Sequence, residues 1–144
     1  MEFEHILCPV DFSEGSKKAL NIALDFKKQF DAHIDVIHIV NNPFGDYVHP
    51  FEVRNMESCK KGAIEIARKE LSKLKEEMPL PKDTKMHVLY GVPADEIINF
   101  AKARNVNLII IDTHGRRGIA RLVIGSVTEE VIRRATCPVL AVRL

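Results

Sequence analysis

The sequence predicts an α/β fold in three layers, a doubly wound five-stranded parallel sheet with helices over both faces. Three observations predict it. Apolar runs of strand length alternate with stretches whose apolar residues recur at helical spacing, the order of successive βαβ units. The runs are continuous rather than alternately apolar and polar, as in strands buried on both faces. The chain has 144 residues, 46% of them apolar, enough for one core, so 1–144 is expected to form a single domain.

His5-Ile6-Leu7-Cys8-Pro9-Val10 is the first apolar run, ended by Asp11-Phe12-Ser13. Ser13 is the predicted N-cap of a helix in which Ala19, Leu20, Ile22, Ala23, Phe26 and Phe30 share a face. Asp31-Ala32 turns the chain, and His33 to Val40, rich in β-branched residues, is the second strand. Asn41 to Phe51 holds two Asn, two Pro and a Gly and reads as a loop, of a length that is usually functional or mobile. Glu52 to Met78 is helical, with Ile64, Ala67, Leu71, Leu74 and Met78 in one apolar stripe, and Pro79 and Pro81 stop it. Lys85 to Tyr90 is the third strand. Gly91-Val92-Pro93 turns into a helix with Ile97, Ile98, Phe100 and Ala101 inward and Asn105 as its terminal signal. Asn107 to Ile111 is the most apolar strand, followed by a loop, a helix over Ser126–Ala135 and a last strand over Pro138–Val142.

Composition excludes several classes. A net charge of +1 gives no general electrostatic case for nucleic acid or a membrane surface. No apolar stretch reaches the length of a membrane span, and Met1-Glu2-Phe3-Glu4-His5 does not resemble a signal peptide. Cys8, Cys59 and Cys137 are odd in number and lack C-x-x-C spacing, as expected of reduced thiols in a cytoplasmic protein. His5, His33, His38, His49, His87 and His114 show no metal-ligand spacing, and no nucleophile motif partners His114. No protein metal site is predicted.

The chemistry concentrates after the fourth strand, in Asp112-Thr113-His114-Gly115-Arg116-Arg117-Gly118 running to Gly125-Ser126-Val127-Thr128. A buried strand, a glycine-punctuated loop and a helix start together make an anion site, because the first N–H groups of a helix have no intrahelical partners. Ser126 with Glu129 fits an S-x-x-E capping box. Asp11, at the end of the first strand, has two readings: an acceptor for nucleotide hydroxyls or amine, or a helix-side cap. A switch point between the first and fourth strands brings Asp11 to this loop.

In order and spacing, these segments resemble the universal stress protein family over essentially the whole chain. The likeness rests on Ile6 to Ser13, on His38-Ile39-Val40, on Gly91-Val92-Pro93-Ala94-Asp95-Glu96-Ile97, on Thr113 to Gly118, on Gly125-Ser126-Val127 and on Cys137-Pro138-Val139. It implies a Rossmann-like (adenine nucleotide alpha-hydrolase-like) sheet of order 3-2-1-4-5. It also implies a cytoplasmic stress-response protein binding ATP or another adenine nucleotide with Mg²⁺, and a homodimer formed through Pro138–Val142. The implied nucleotide contacts are Pro9, Asp11, Ile39 (through its backbone), Asp112, Thr113, His114, Gly115, Gly118, Gly125, Ser126, Val127 and Thr128.

One residue departs from the pattern. The family's nucleotide-binding branch carries G-x2-G-x9-G-(S/T). Gly115, the nine residues Arg116 to Ile124, and Gly125-Ser126 fit its last two parts, and Asp112 stands in place of the first glycine. A carboxylate a few ångströms from a triphosphate costs on the order of a kcal/mol or more unless a cation intervenes or it turns aside. The alternative function is therefore a homodimeric interaction module that binds no nucleotide. With no P-loop and no nucleophile elbow, an enzyme of another α/β family ranks last, and any ATP hydrolysis is expected to be slow or partner-dependent.

Overall fold

Five parallel strands lie in the order β3-β2-β1-β4-β5 in the computed structural model, which describes residues 2–42, 53–114 and 123–144. In chain order the elements are β1 (His5–Pro9), α1 (Glu14–Phe30), β2 (His33–Asn41), α2 (Val53–Glu77), β3 (Lys85–Gly91), α3 (Pro93–Ala103), β4 (Leu108–Asp112), α4 (Ser126–Arg134) and β5 (Val139–Val142). This is the predicted doubly wound α/β fold. The winding reverses where β4 pairs with β1, Ile6 opposite Leu108 and Leu7 opposite Ile109.

The continuous apolar runs are explained by two cores, one on each face. Ile6, Cys8, Val36, Leu108 and Ile110 face α1 and α2, where Ala19, Leu20, Ala23, Leu71 and Leu74 meet them. Leu7, Ile37, Ile109 and Ile111 face α3 and α4, packing on Ala94, Ile97, Ala101 and Val131. Side chains alternate along a strand, so a strand between two helical layers must be apolar on both sides. Cys8 lies wholly within the first core, where burial pushes its thiol up to about 12, consistent with inert packing.

The helix ends follow local chemistry. The hydroxyl oxygen of Ser13 accepts from the Ser16 N–H at 3.2 Å and caps α1. Asp31 closes α1 in the left-handed region at φ 53°, and Asn105 does the same after α3. Asn41 ends β2 rather than beginning a loop. The rest of the Asn41–Phe51 segment, apart from Asn42, lies outside the described residues.

Two expectations are corrected. Asp112 is the last residue of β4, paired with Val142, rather than the first residue of the loop. The Ser126–Glu129 capping box does not form. Gly125 is the N-cap of α4, no side chain caps it, and the Glu129 carboxylate instead accepts from Arg133 at 2.6 Å. That i,i+4 ion pair lies on the exposed face of the helix, where it competes with reaching back to the cap.

Ile109 is fully buried and Ile132 is exposed on α4. Ile109→Ala is expected to cost about 2–5 kcal/mol in urea unfolding, and Ile132→Ala less than about 0.5 kcal/mol.

Candidate functional site

A cleft of about 680 Å³ opens at the carboxyl ends of β1, β2 and β4, where the winding reverses. Its walls come from the ends of those strands and from α2, α3 and the first turn of α4. Of the predicted residues, Pro9, Asp11, Ile39, Asp112, His114, Gly125, Ser126, Val127 and Thr128 all line it. Thr113 does not line it and is buried behind. Gly115 and Gly118 lie outside the described residues, as do Arg116, Arg117 and Arg121.

One wall of the cleft is built on α4. Its first intrahelical bond runs from the Glu129 N–H to the Gly125 carbonyl, so the N–H groups of Ser126, Val127 and Thr128 precede the ladder. The Gly125 N–H is already committed to the Thr113 carbonyl at 2.5 Å. Gly125 therefore serves by close approach: a Cβ there would stand 3.2 Å from the Thr113 carbonyl oxygen. The Thr128 hydroxyl donates to the Asp112 carbonyl at 2.5 Å and ties the helix to the strand end. The Thr113 hydroxyl pairs with His114 Nδ1 at 2.7 Å, and His114 Nε2 is buried with no hydrogen-bond partner among the described residues.

Asp11 lines the cleft and also shapes the turn into α1. One carboxylate oxygen accepts from the Ser13 N–H at 3.0 Å and from the Ser13 hydroxyl at 2.5 Å, folding the chain into α1. Phe12 between them takes φ 67°, unusual for a bulky residue, and its ring lies 4.5 Å from that of His38. His38 Nδ1 donates to the Val10 carbonyl at 2.7 Å, which fixes this wall of the cleft. Sequence reasoning missed both residues. The signal was an aromatic side chain and a histidine at matching strand ends, neither meaningful before the strands are paired.

Asp112 turns its side chain toward α1. It shares the strand face of Ile110, the α1 side, and is 5% exposed. A Cβ on Gly15, in the first turn of α1, would stand 2.5 Å from the Asp112 carboxyl carbon. The carboxylate thus lies against the start of a 17-residue helix, where the helix dipole favours negative charge. Its backbone holds α4 through Thr128 while its side chain packs on α1.

Fold and site together define a doubly wound α/β protein with a cleft at its switch point. The family model for the universal stress protein family matches residues 2–143, and the chain belongs to that family. A universal stress protein of Methanocaldococcus jannaschii is 35% identical over 142 residues, 98% of this chain and 82% of that protein. The universal stress protein UspA from Lactobacillus plantarum has the same fold, with a TM-score of 0.85 at 22% identity over 99% of each chain. Two further family structures hold nucleotides. One, from Archaeoglobus fulgidus, is in complex with dAMP (TM-score 0.58, 23% identity, 99% of each chain). Another is in complex with cAMP (TM-score 0.62, 18% identity, 99% of this chain and 98% of that one).

The Gly15–Asp112 contact makes a sharp prediction. Gly15→Ala is expected to destabilise the protein by about 1–3 kcal/mol through overpacking, and to become nearly neutral in an Asp112→Ala background. A double-mutant cycle by urea denaturation reads the difference.

Proposed function

We propose that this protein binds an adenine nucleotide in the switch-point cleft and acts as a cytoplasmic, ligand-responsive regulatory protein of the stress response. The observation that carries the reading is the first turn of α4. Its N–H groups at Ser126, Val127 and Thr128 lack a side-chain cap and line the cleft beside the buried His114 Nε2. The cleft volume lies within the range of small-molecule sites. Family members in complex with dAMP and cAMP support adenine as the base. Pro9, Asp11 and the backbone of Ile39 would hold the nucleoside. Ser126, Val127 and Thr128 would hold the phosphates, with Thr113, His114, Gly115 and Gly118 completing the loop around them.

Asp112 supports rather than opposes this reading, because its carboxylate packs on α1 while the phosphate donors sit on α4. Mg²⁺ would enter with ATP, held by phosphate and water. No group of three or more metal-ligating side chains exists among the described residues. Hydrolysis, if any, would be slow or partner-dependent, since the sequence carries neither a P-loop nor a nucleophile elbow.

A homodimer through Pro138–Val142 belongs to the same reading. β5 is an edge strand, and Val139, Leu140 and Ala141 on it are only half-buried. Light scattering at micromolar concentration should give twice the 16.3 kDa chain mass; a monomer would end that part of the proposal.

Calorimetry with Mg-ATP, AMP and cAMP tests the central claim. At least one should bind saturably, and Gly125→Asp should weaken it by about tenfold or more by placing a carboxylate among the phosphate donors. Asp112→Gly should leave affinity within a few fold. If none of the three binds wild-type protein, the non-nucleotide interaction module is the correct function. If Asp112→Gly then creates binding, Asp112 is the cause.

A further inference from the structure

At the end of the sheet opposite the cleft, three side chains from three strands converge. Asp35 of β2 is 3% exposed. One of its oxygens accepts from His5 Nε2 of β1 at 2.6 Å, and the other accepts from His87 Nε2 of β3 at 2.6 Å. The second nitrogen of His5 lies 3.0 Å from the carbonyl oxygen of Arg104, the C-cap residue of α3. The His5 backbone makes two more bonds to the same connection. Its N–H donates to the Asn107 side-chain oxygen, and its carbonyl accepts from the Asn107 N–H, each at 3.0 Å. The His87 ring packs against Phe100 of α3 at 5.1 Å.

The proton count follows from the acceptors. A carbonyl oxygen only accepts, so His5 Nδ1 must carry a hydrogen. A carboxylate only accepts, so His5 Nε2 must carry one too. Burial alone would raise the Asp35 carboxyl, but the hydrogen bonds from His87 and His5 together outweigh it and hold the carboxyl below its ordinary value. The carboxylate is therefore ionised at neutral pH. Making both His5 bonds at once requires the imidazolium form, whereas His87, with one acceptor, needs only a neutral ring. Other charged groups on the surrounding elements are Glu2 and Glu4 before β1, His33 beside Asp35 on β2, Lys85 at the start of β3, and Lys102 and Arg104 at the end of α3. The Arg104 guanidinium sits over the Phe100 ring at 5.3 Å. Besides burial, His5 and His87 are the groups among the described residues that act on the Asp35 carboxyl.

We propose that His5, Asp35 and His87 form a proton-linked clamp that fastens the amino-terminal ends of β1, β2 and β3 to the end of α3, complete only while His5 carries protons on both ring nitrogens. Loss of one proton forces His5 to give up either Arg104 or Asp35. The effect reaches beyond the cluster, because α3 runs from the clamp at Arg104 to Pro93, which lines the cleft. At low pH the clamp fails differently. A carboxyl held below its ordinary value contributes stability at neutral pH that is lost as pH falls through its folded value.

Ring-nitrogen NMR of histidine-labelled full-length protein tests the proton count. His5 should show both ring nitrogens protonated at pH 6. Where His5 carries only one ring proton, the Asn107 amide should exchange about tenfold faster than its intrinsic rate change accounts for, as expected for one lost charge-assisted hydrogen bond. His5→Gln cannot titrate and should abolish that step while remaining folded. Asp35→Asn should abolish it too, with a lower melting temperature at neutral pH. A His5 ring with one bare nitrogen at pH 6 overturns the proposal, as does an exchange step that survives in His5→Gln.

Discussion

The pairing of β4 with β1 is the constraint on which the rest of the structure depends. Parallel βαβ crossovers are right-handed as a rule, so a chain that adds strands first to one side of β1 and then to the other places its helices on opposite faces. At the reversal α1 and α4 diverge, and their N-termini stand on the two sides of one crevice. Among the described residues, none fills that space. The cleft is therefore a property of strand order, and its chemistry depends on which residues happen to end β1, β2 and β4.

Those strand ends are read by the fold in an order-dependent way. β4 reaches one residue past its apolar run, so Asp112 inherits the alternation of the strand and faces α1 with Ile110. Facing that way, it needs room in the first turn of α1, and Gly15 supplies it. A glycine early in a helix is otherwise a poor choice, costing up to about 1 kcal/mol relative to alanine. The two residues lie far apart in sequence and make physical sense only together. A carboxylate at the mouth of a proposed anion site looks contradictory in one dimension; in three its side chain packs on a different helix.

Most of the architecture was legible in the sequence for a simple reason. Strands such as Ile109-Ile110-Ile111 are buried on both faces, and no polar residue survives there, so the pattern is unambiguous. Helix ends were legible where one side chain decides them, as with the Ser13 cap and the left-handed Asp31 and Asn105. They were not legible where side chains compete. Ser126 and Glu129 have capping-box spacing, yet Glu129 has Arg133 one turn later, and a full ion pair on the open face prevails. In the cleft, Asp11 and Asp112 could be placed from strand order, whereas Pro9 and Ile39 came from the family resemblance. The Phe12–His38 contact and the burial of His114 Nε2 could not, because each depends on tertiary distances rather than spacing.

The same reasoning separates the two ends of the sheet. Inside a parallel sheet covered on both faces, a charged side chain has no water and must find fixed partners. Asp35 lies opposite Leu7, one strand position deeper than an edge would allow, and it is neutralised by donors from both neighbouring strands. Three histidine and aspartate positions that look scattered along the chain thus solve one local problem. At the cleft end, the first turn of α4 has no side-chain cap, and the buried His114 Nε2 has no hydrogen-bond partner among the described residues. An end whose polar groups are mutually satisfied holds the fold together. The end with the uncapped turn of α4 is where the proposed ligand would complete the structure.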